Sequence, residues 1–229
     1  MLVLHWECID RLGRIPHSGE GRGITLSEAA TIASENKKRF FIEFVSHRWF
    51  SSYAPDDLHN TKAAVLCEWA KYRWASGLAS FFWVDFTCVN QNDIALGVCL
   101  LPLYVSTANN ILCYGSAEYE VRAWTRVERV LFAAFVAPKF EALSTEFIYD
   151  ADDDDANGKI ELTSEEQGLL ADPEDGRLTF PCDMPLIREL KGLCVTHWAK
   201  CWKEDMRPPR DQSGLHFGTT QVRVRRFGK

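Results

Sequence analysis

The stretch "YEVRAWTRVERV" (119–130) places Trp124 four positions before Glu128. On a helix, residues four apart share a face, so an indole and a carboxylate would look in the same direction. Two descriptions compete for the pair. One is a packed tryptophan beside a solvated glutamate paired with Arg122, Arg126 or Arg129, which is the commoner situation for a charged helix residue. The other is the wall and the acting carboxylate of a pocket. Two further stretches, "SHRW" (46–49) and "DFTCVNQND" (85–93), are rich in polar and aromatic side chains, where a purely structural loop would be short and rich in glycine or asparagine. They supply Ser46, His47, Arg48, Trp49, Asp85, Asn90 and Gln91 as candidate substrate-binding residues. Asp85 closes an apolar strand, where a carboxylate is costly unless it is paired or functional. Its alternative role is an anchor bonded to loop amides or to Arg48.

The elements that would position these residues can be read from periodicity. "RFFIEFVS" (39–46), "FFWVDFTCV" (81–89) and "NILCYG" (110–115) are nearly continuous apolar runs and read as strands. Helical patterns lie between and after them, at 56–77, 97–108 and 117–136, with Pro138 closing the last. Upstream, "TLSEAATIASEN" is predicted as a short helix capped by Thr25 or Ser27. "TEFIYD" reads as a further strand and 185–202 as a final helix. Apolar strands alternating with helices imply a parallel sheet covered on both faces. The fold class is α/β, a doubly wound, flavodoxin-like sheet. In such sheets ligands bind outside the carboxyl ends of the strands, and the three polar stretches fall at three such ends.

Composition sets the outer limits. The 229 residues are 46% hydrophobic and 25% charged, a globular balance. No apolar run reaches the ~18 residues of a membrane span, and "MLVLHWECIDRLGR" carries charge too early for a signal peptide. A cytoplasmic protein with buried, reduced cysteines is expected. Fourteen acidic residues against two basic ones lie between Glu141 and Asp183, while "QVRVRRFGK" is locally basic. A pI of about 5.6 argues against a nucleic-acid partner. Three segments follow: an N-terminal extension (1–37), the main domain (38–205) with an acidic insert at about 141–183, and a basic tail (206–229). Within the insert, residues 150–167 are expected to be exposed and dispensable for folding.

No metal site is expected. His47 has no second ligand at suitable spacing, and Cys182, Cys194, His197 and Cys201 match no standard zinc pattern. "DDDDANGKI" (152–160) begins like a calcium loop, with Asp153, Asp155, Asn157 and Gly158, but Ser164 stands where the closing glutamate is needed. A solvated hairpin is the better reading.

The polar stretches carry a resemblance. "FFIEFVSHRWF" resembles the first strand and loop of TIR domains, and "WTRVER" resembles their Trp-Cys-x-x-Glu motif with Thr125 in place of the cysteine. "FFWVDFTCVNQND" is similar to the WIDAxCINQ-type motif of the related heterokaryon-incompatibility (HET) domains. The resemblance covers roughly 38–136 and the last helix, and the family's glycine-rich loop has no counterpart. It implies an NAD+ glycohydrolase that cleaves the nicotinamide–ribose bond, with Glu128 essential and NAD+ as substrate rather than resident cofactor. Nicotinamide leaves as a neutral base, so a carboxylate near the ribose and an aromatic wall such as Trp124 meet the chemical need. The family further implies an immune or cell-death effector that acts as a homo-oligomer or with a regulatory partner. The rivals are a non-catalytic TIR-type adaptor and a nucleoside deoxyribosyltransferase-like N-glycosidic enzyme.

Overall fold

A computed structural model describes residues 1–51, 54–136, 145–151, 159–165, 170–201 and 220–227. The chain begins with β1 (Leu2–His5), α1 (Trp6–Leu12), β2 (Ile24–Thr25) and α2 (Leu26–Glu35). The centre follows as β3 (Arg39–Ser46), α3 (Thr61–Ala75), β4 (Leu78–Trp83), α4 (Asp85–Cys88), α5 (Ile94–Cys99), α6 (Leu101–Thr107) and β5 (Asn110–Gly115). Then come α7 (Ala117–Glu120), α8 (Ala123–Phe135), β6 (Thr145–Asp150), β7 (Lys159–Glu165), α9 (Met184–Cys201) and β8 (Thr220–Phe227).

The strands lie in the order β2-β1-β4-β3-β5-β6-β8-β7. β4, β3, β5, β6 and β8 are mutually parallel, and β1, β2 and β7 are antiparallel additions at the two edges. Counted along the chain, the parallel strands run 2-1-3-4-5, the flavodoxin-like doubly wound order. Its switch point lies between β3 and β5, where neighbouring connections leave on opposite sides of the sheet.

The pleat decides what each face buries. On β3, Ile42 and Phe44 join Ile111 and Cys113 of β5 under α2, α6 and α8. Val45 joins Leu112, Phe147 and Val224 under α1 and α3, where Leu66 and Trp69 pack. Both faces are dry, which is why the strands read as unbroken apolar runs rather than alternating ones. α9 covers the outer side of α8, with Ile187 and Leu190 against Ala123 and Val127. Thr25 caps α2 through a reciprocal capping box with Glu28, as its sequence suggests.

Several boundaries differ from the sequence reading. The strand expected at 81–89 runs from Leu78 to Trp83, and Asp85 opens a one-turn helix instead of closing the strand. The single helix expected over 117–136 is two. At the break, the Val121 carbonyl accepts from Arg177 N–H at 2.7 Å and Ala123 N–H donates to the Arg177 carbonyl at 3.0 Å. A strand-like segment far along the chain thus takes over hydrogen bonds that a continuous helix would make. Gly176 permits the approach, since a Cβ there would stand 2.4 Å from the Ala123 Cα.

The segments set apart by composition contribute to the same sheet. Residues 1–37 supply β1 and β2 on one edge, and the tail supplies β8, whose Val224 is buried between β6 and β7. Within 141–183, β6 buries Phe147, Ile148 and Tyr149. β7 pairs with β8 and forms the outermost strand of the sheet, while the hairpin read at 152–160 falls almost wholly outside the described residues. The calcium-like positions Asp153, Asp155, Asn157 and Gly158 lie outside the described residues. Cys8, Cys67, Cys113 and Cys194 are buried free thiols, Cys88 is a partly buried one, and Cys99 and Cys182, against expectation for Cys99, are exposed. Among the described residues, no helix is long and apolar enough to cross a membrane.

Candidate functional site

β3 ends at Ser46, and the period of two sends Ser46 and His47 to opposite faces of the sheet. Ser46 falls on the side of Ile42 and Phe44, beneath α8. Its fully buried hydroxyl meets the Glu128 carboxyl, Oγ to Oε2, at 2.5 Å. The same oxygen lies 2.7 Å from the hydroxyl of Tyr119 on α7. β3 and β5 flank the switch point, so this contact joins a strand end to the first helix beyond the neighbouring strand.

Glu128 is half-buried. None of the three arginines that could have neutralised it does so. Arg129 binds Glu146 and, at 3.0 Å, Glu120. Arg126 donates to the carbonyls of Glu120 and Asp172, each at 2.9 Å. Arg122 reaches Thr179. Burial pushes the Glu128 carboxyl up to about 8 and the nearby Asp85 charge adds to this, while the Ser46 hydrogen bond pulls the other way. A carboxylic acid that keeps its proton near neutrality marks a group tuned by its surroundings.

His47 turns to the α3 side and meets Lys62, a lysine only 3% exposed. The carboxylate of Asp56 accepts the backbone N–H groups of Lys62 and Ala63 at 2.9 and 2.7 Å, which fixes the start of α3. The Lys62 ammonium then reaches the Pro55 carbonyl, the Arg48 carbonyl at 2.9 Å and His47 Nδ1 at 3.0 Å. An ammonium has no lone pair. His47 Nδ1 is therefore the acceptor, and the ring proton sits on Nε2, which donates to Asp85 Oδ1 at 3.0 Å. Burial and the Lys62 charge both lower the His47 pKa and keep the ring neutral.

Asp85 accepts further bonds from Trp49 Nε1 at 2.7 Å and from the Phe86 N–H at 2.6 Å. Burial would raise its carboxyl, but His47 and these hydrogen bonds outweigh that and hold it below the ordinary carboxylate value. Two carboxyl groups near enough to interact electrostatically thus carry opposite shifts, Glu128 up and Asp85 down.

The remaining predicted residues divide. Gln91 clamps the α4 turn, its amide donating to the carbonyls of Asp85 and Val89 at 2.9 and 3.2 Å. Asn90 is exposed and accepts from the Asn92 N–H, shaping the loop. Arg48 is half-buried, and its guanidinium makes no hydrogen bond or ion pair among the described residues. Trp49 packs edge-on against Phe86, with 5.3 Å between ring centroids. Trp124 turns towards α9. Its indole packs against the buried cluster that contains Ile187 and Leu190 of α9, borders the main core as well, and donates to Asp183 at 3.0 Å, and it makes no hydrogen bond with Ser46 or Glu128.

Sequence reasoning missed Tyr119 and Lys62. Tyr119 was absorbed into a continuous helix, and Lys62 sits in a pattern where a lysine is ordinarily solvated. The "DD" before α3 was a signal, because a buried aspartate capping a helix fixes what its first turn carries. Thr125 donates to the Tyr119 carbonyl at 2.6 Å and the Arg122 carbonyl at 2.9 Å, so this hydroxyl ties α7 to α8.

No protein-family model, curated protein or solved structure matches the chain.

Proposed function

We propose that this protein is a TIR-like NAD+ glycohydrolase, with Glu128 as the acting carboxylate at the switch-point rim. The observation that carries the reading is the Ser46–Glu128 contact: a half-buried carboxyl, paired with no arginine among the described residues, held by a strand-end hydroxyl where doubly wound sheets bind ligands. In the reaction the bond between ribose C1′ and the pyridinium nitrogen breaks, and its electron pair leaves with neutral nicotinamide. Water then captures the oxocarbenium-like centre and gives up a proton. No acid is required, and a carboxylate beside the ribose stabilises the developing cation. The raised pKa of Glu128 is compatible with this, because a cationic substrate favours ionisation of an adjacent carboxyl. Arg48, whose guanidinium has no hydrogen bond or ion pair among the described residues, offers a cation for the substrate's phosphates. The reading carries with it a cytoplasmic setting, self-association and a role as an immune or cell-death effector.

One observation favours a second reading. A neutral nucleoside must have its base protonated to leave, and a carboxyl that burial raises to about 8, so that it keeps its proton at neutral pH, is suited to that. A nucleoside-cleaving enzyme of related fold would use Glu128 in the opposite charge state. Incubating the protein at high concentration with NAD+ and with a panel of free nucleosides separates the two. Glu128→Gln keeps the shape and removes the charge, and should lower NAD+ turnover by on the order of 10²-fold or more. NAD+ consumption at the wild-type rate in that variant would remove Glu128 as the acting carboxylate, and no NAD+ consumption by the wild-type protein would overturn the reading and leave the adaptor role.

A further inference from the structure

We propose that Tyr119 is the positioning residue for Glu128: its hydroxyl acts through Ser46 to hold the carboxyl in one orientation in both of its protonation states. The inference rests on the reading of Glu128 as the acting group.

The argument starts from hydrogen count. A serine hydroxyl has one hydrogen and two lone pairs. Ser46 Oγ lies within bonding distance of both Glu128 Oε2 and the Tyr119 hydroxyl, so its hydrogen can serve only one of them at a time. When Glu128 is a carboxylate, Ser46 donates to it and Tyr119 donates to Ser46. When Glu128 is protonated, the carboxyl O–H donates to Ser46 and Ser46 donates to Tyr119. The phenol hydrogen then turns towards the Cys113 sulfur that borders it. Every hydroxyl is satisfied in both states with no heavy atom moving. Without the phenol, Ser46 is incompletely paired in each state, inside a site where its oxygen is fully buried.

The phenol is built to stay in place. Tyr119 is 1% exposed, its N–H is held by the Ser116 side chain at 3.1 Å, and its carbonyl is held by Thr125. Burial keeps the phenol pKa well above its ordinary value, so it remains a neutral hydroxyl while Glu128 titrates. The ionisable groups facing this relay are Asp85 beside Glu128, with Cys113 and Arg129 around Tyr119. Cys113 is itself held as a thiol by burial. Glu128 is thus the member of the relay that changes charge in the physiological range.

The direction of the effect follows. Donation from Tyr119 strengthens the bond that Ser46 gives to the charged carboxylate, and charge-assisted bonds are the stronger kind. Removing it favours the protonated acid. The full-length protein, labelled with 13C at glutamate carboxyls, is titrated by NMR without substrate, with Glu128→Gln identifying the resonance. Tyr119→Phe should raise the Glu128 midpoint by about one pH unit, lowering kcat/KM for NAD+ at pH 7 about tenfold, with melting temperature little changed. Ser46→Ala should raise the midpoint further. A midpoint unmoved by Tyr119→Phe, whether or not Ser46→Ala moves it, overturns the proposal and leaves Tyr119 as packing. Shifted midpoints in a protein that never consumes NAD+ would instead uphold the relay and overturn the proposed function.

Discussion

Ser46 and Glu128 are 82 residues apart in the chain and 2.5 Å apart at the rim of the sheet. One ends the first parallel strand and the other lies on α8, the second helix after the third. Their meeting lies at the switch-point rim, near enough to Asp85 for its charge to raise the Glu128 pKa while Asp85 itself is held low.

The charge state of Glu128 gives a rate profile whose direction separates the two enzymatic readings. If the carboxylate stabilises a glycosyl cation, kcat/KM for NAD+ should rise as pH passes through about 8. If the protonated acid assists a leaving base, kcat/KM for a nucleoside should fall through the same range. Initial rates between pH 6 and 9 distinguish these outcomes.

The same group makes stability depend on pH. Its pKa is raised from 4.5 to about 8 in the folded protein, so between those values the folded state holds a proton that the unfolded chain has released. Stability from this source is complete below the lower value and is lost as pH rises through the upper one. Glu128→Gln should flatten that decline and leave the protein more stable than wild type at pH 8.5. Urea denaturation at pH 5 and 8.5 tests it.

Lys62 predicts the opposite slope. Burial lowers its ammonium from 10.5 to about 8, against the pull of Asp56 and Asp85. Between those values the unfolded chain holds the extra proton, so stability from this source increases with pH. Lys62→Met removes that increase and leaves the Arg48 and Pro55 carbonyls without their donor, a cost of about 2–4 kcal/mol near neutrality. It should also free His47 to exchange tautomers, visible as averaged ring 15N shifts in place of a protonated Nε2 and a bare Nδ1.

Trp124→Ala should be a stability variant. The indole fills the seam between α8 and α9 and bonds Asp183. Because it is half-buried, the loss should be about 2–3 kcal/mol, below the range for a fully buried aromatic. KM for NAD+ should change little. A tenfold rise in KM at unchanged stability would make the indole a substrate wall after all.

Legibility varied with the range of the determining interaction. The strands β3 and β5 and the helices α2, α3 and α9 were readable because apolar content and capping residues are local. The break between α7 and α8 was not, since it is made by Arg177, more than fifty residues later. β8 was obscured by its arginines, although Val222 and Val224 alternate with Arg223 and Arg225 in a period of two, which is a strand signal. At the site, the loops that form the rim were legible from their polar and aromatic content. The division of labour within them was not: Gln91 and Trp49 brace Asp85 and α4, and Trp124 belongs to the α8–α9 seam.

The sequence by itself determined that apolar strands alternate with helices and that three polar stretches follow strand ends. That information is carried by neighbouring residues and survives without knowing the fold. Only the tertiary structure decided which groups meet. Ser46 and His47 are adjacent in the chain, yet the pleat sends one to Glu128 under α8 and the other to Lys62 on α3. Which helix covers each face depends on the crossovers that wind the sheet in both directions, and those are set by packing across the whole domain.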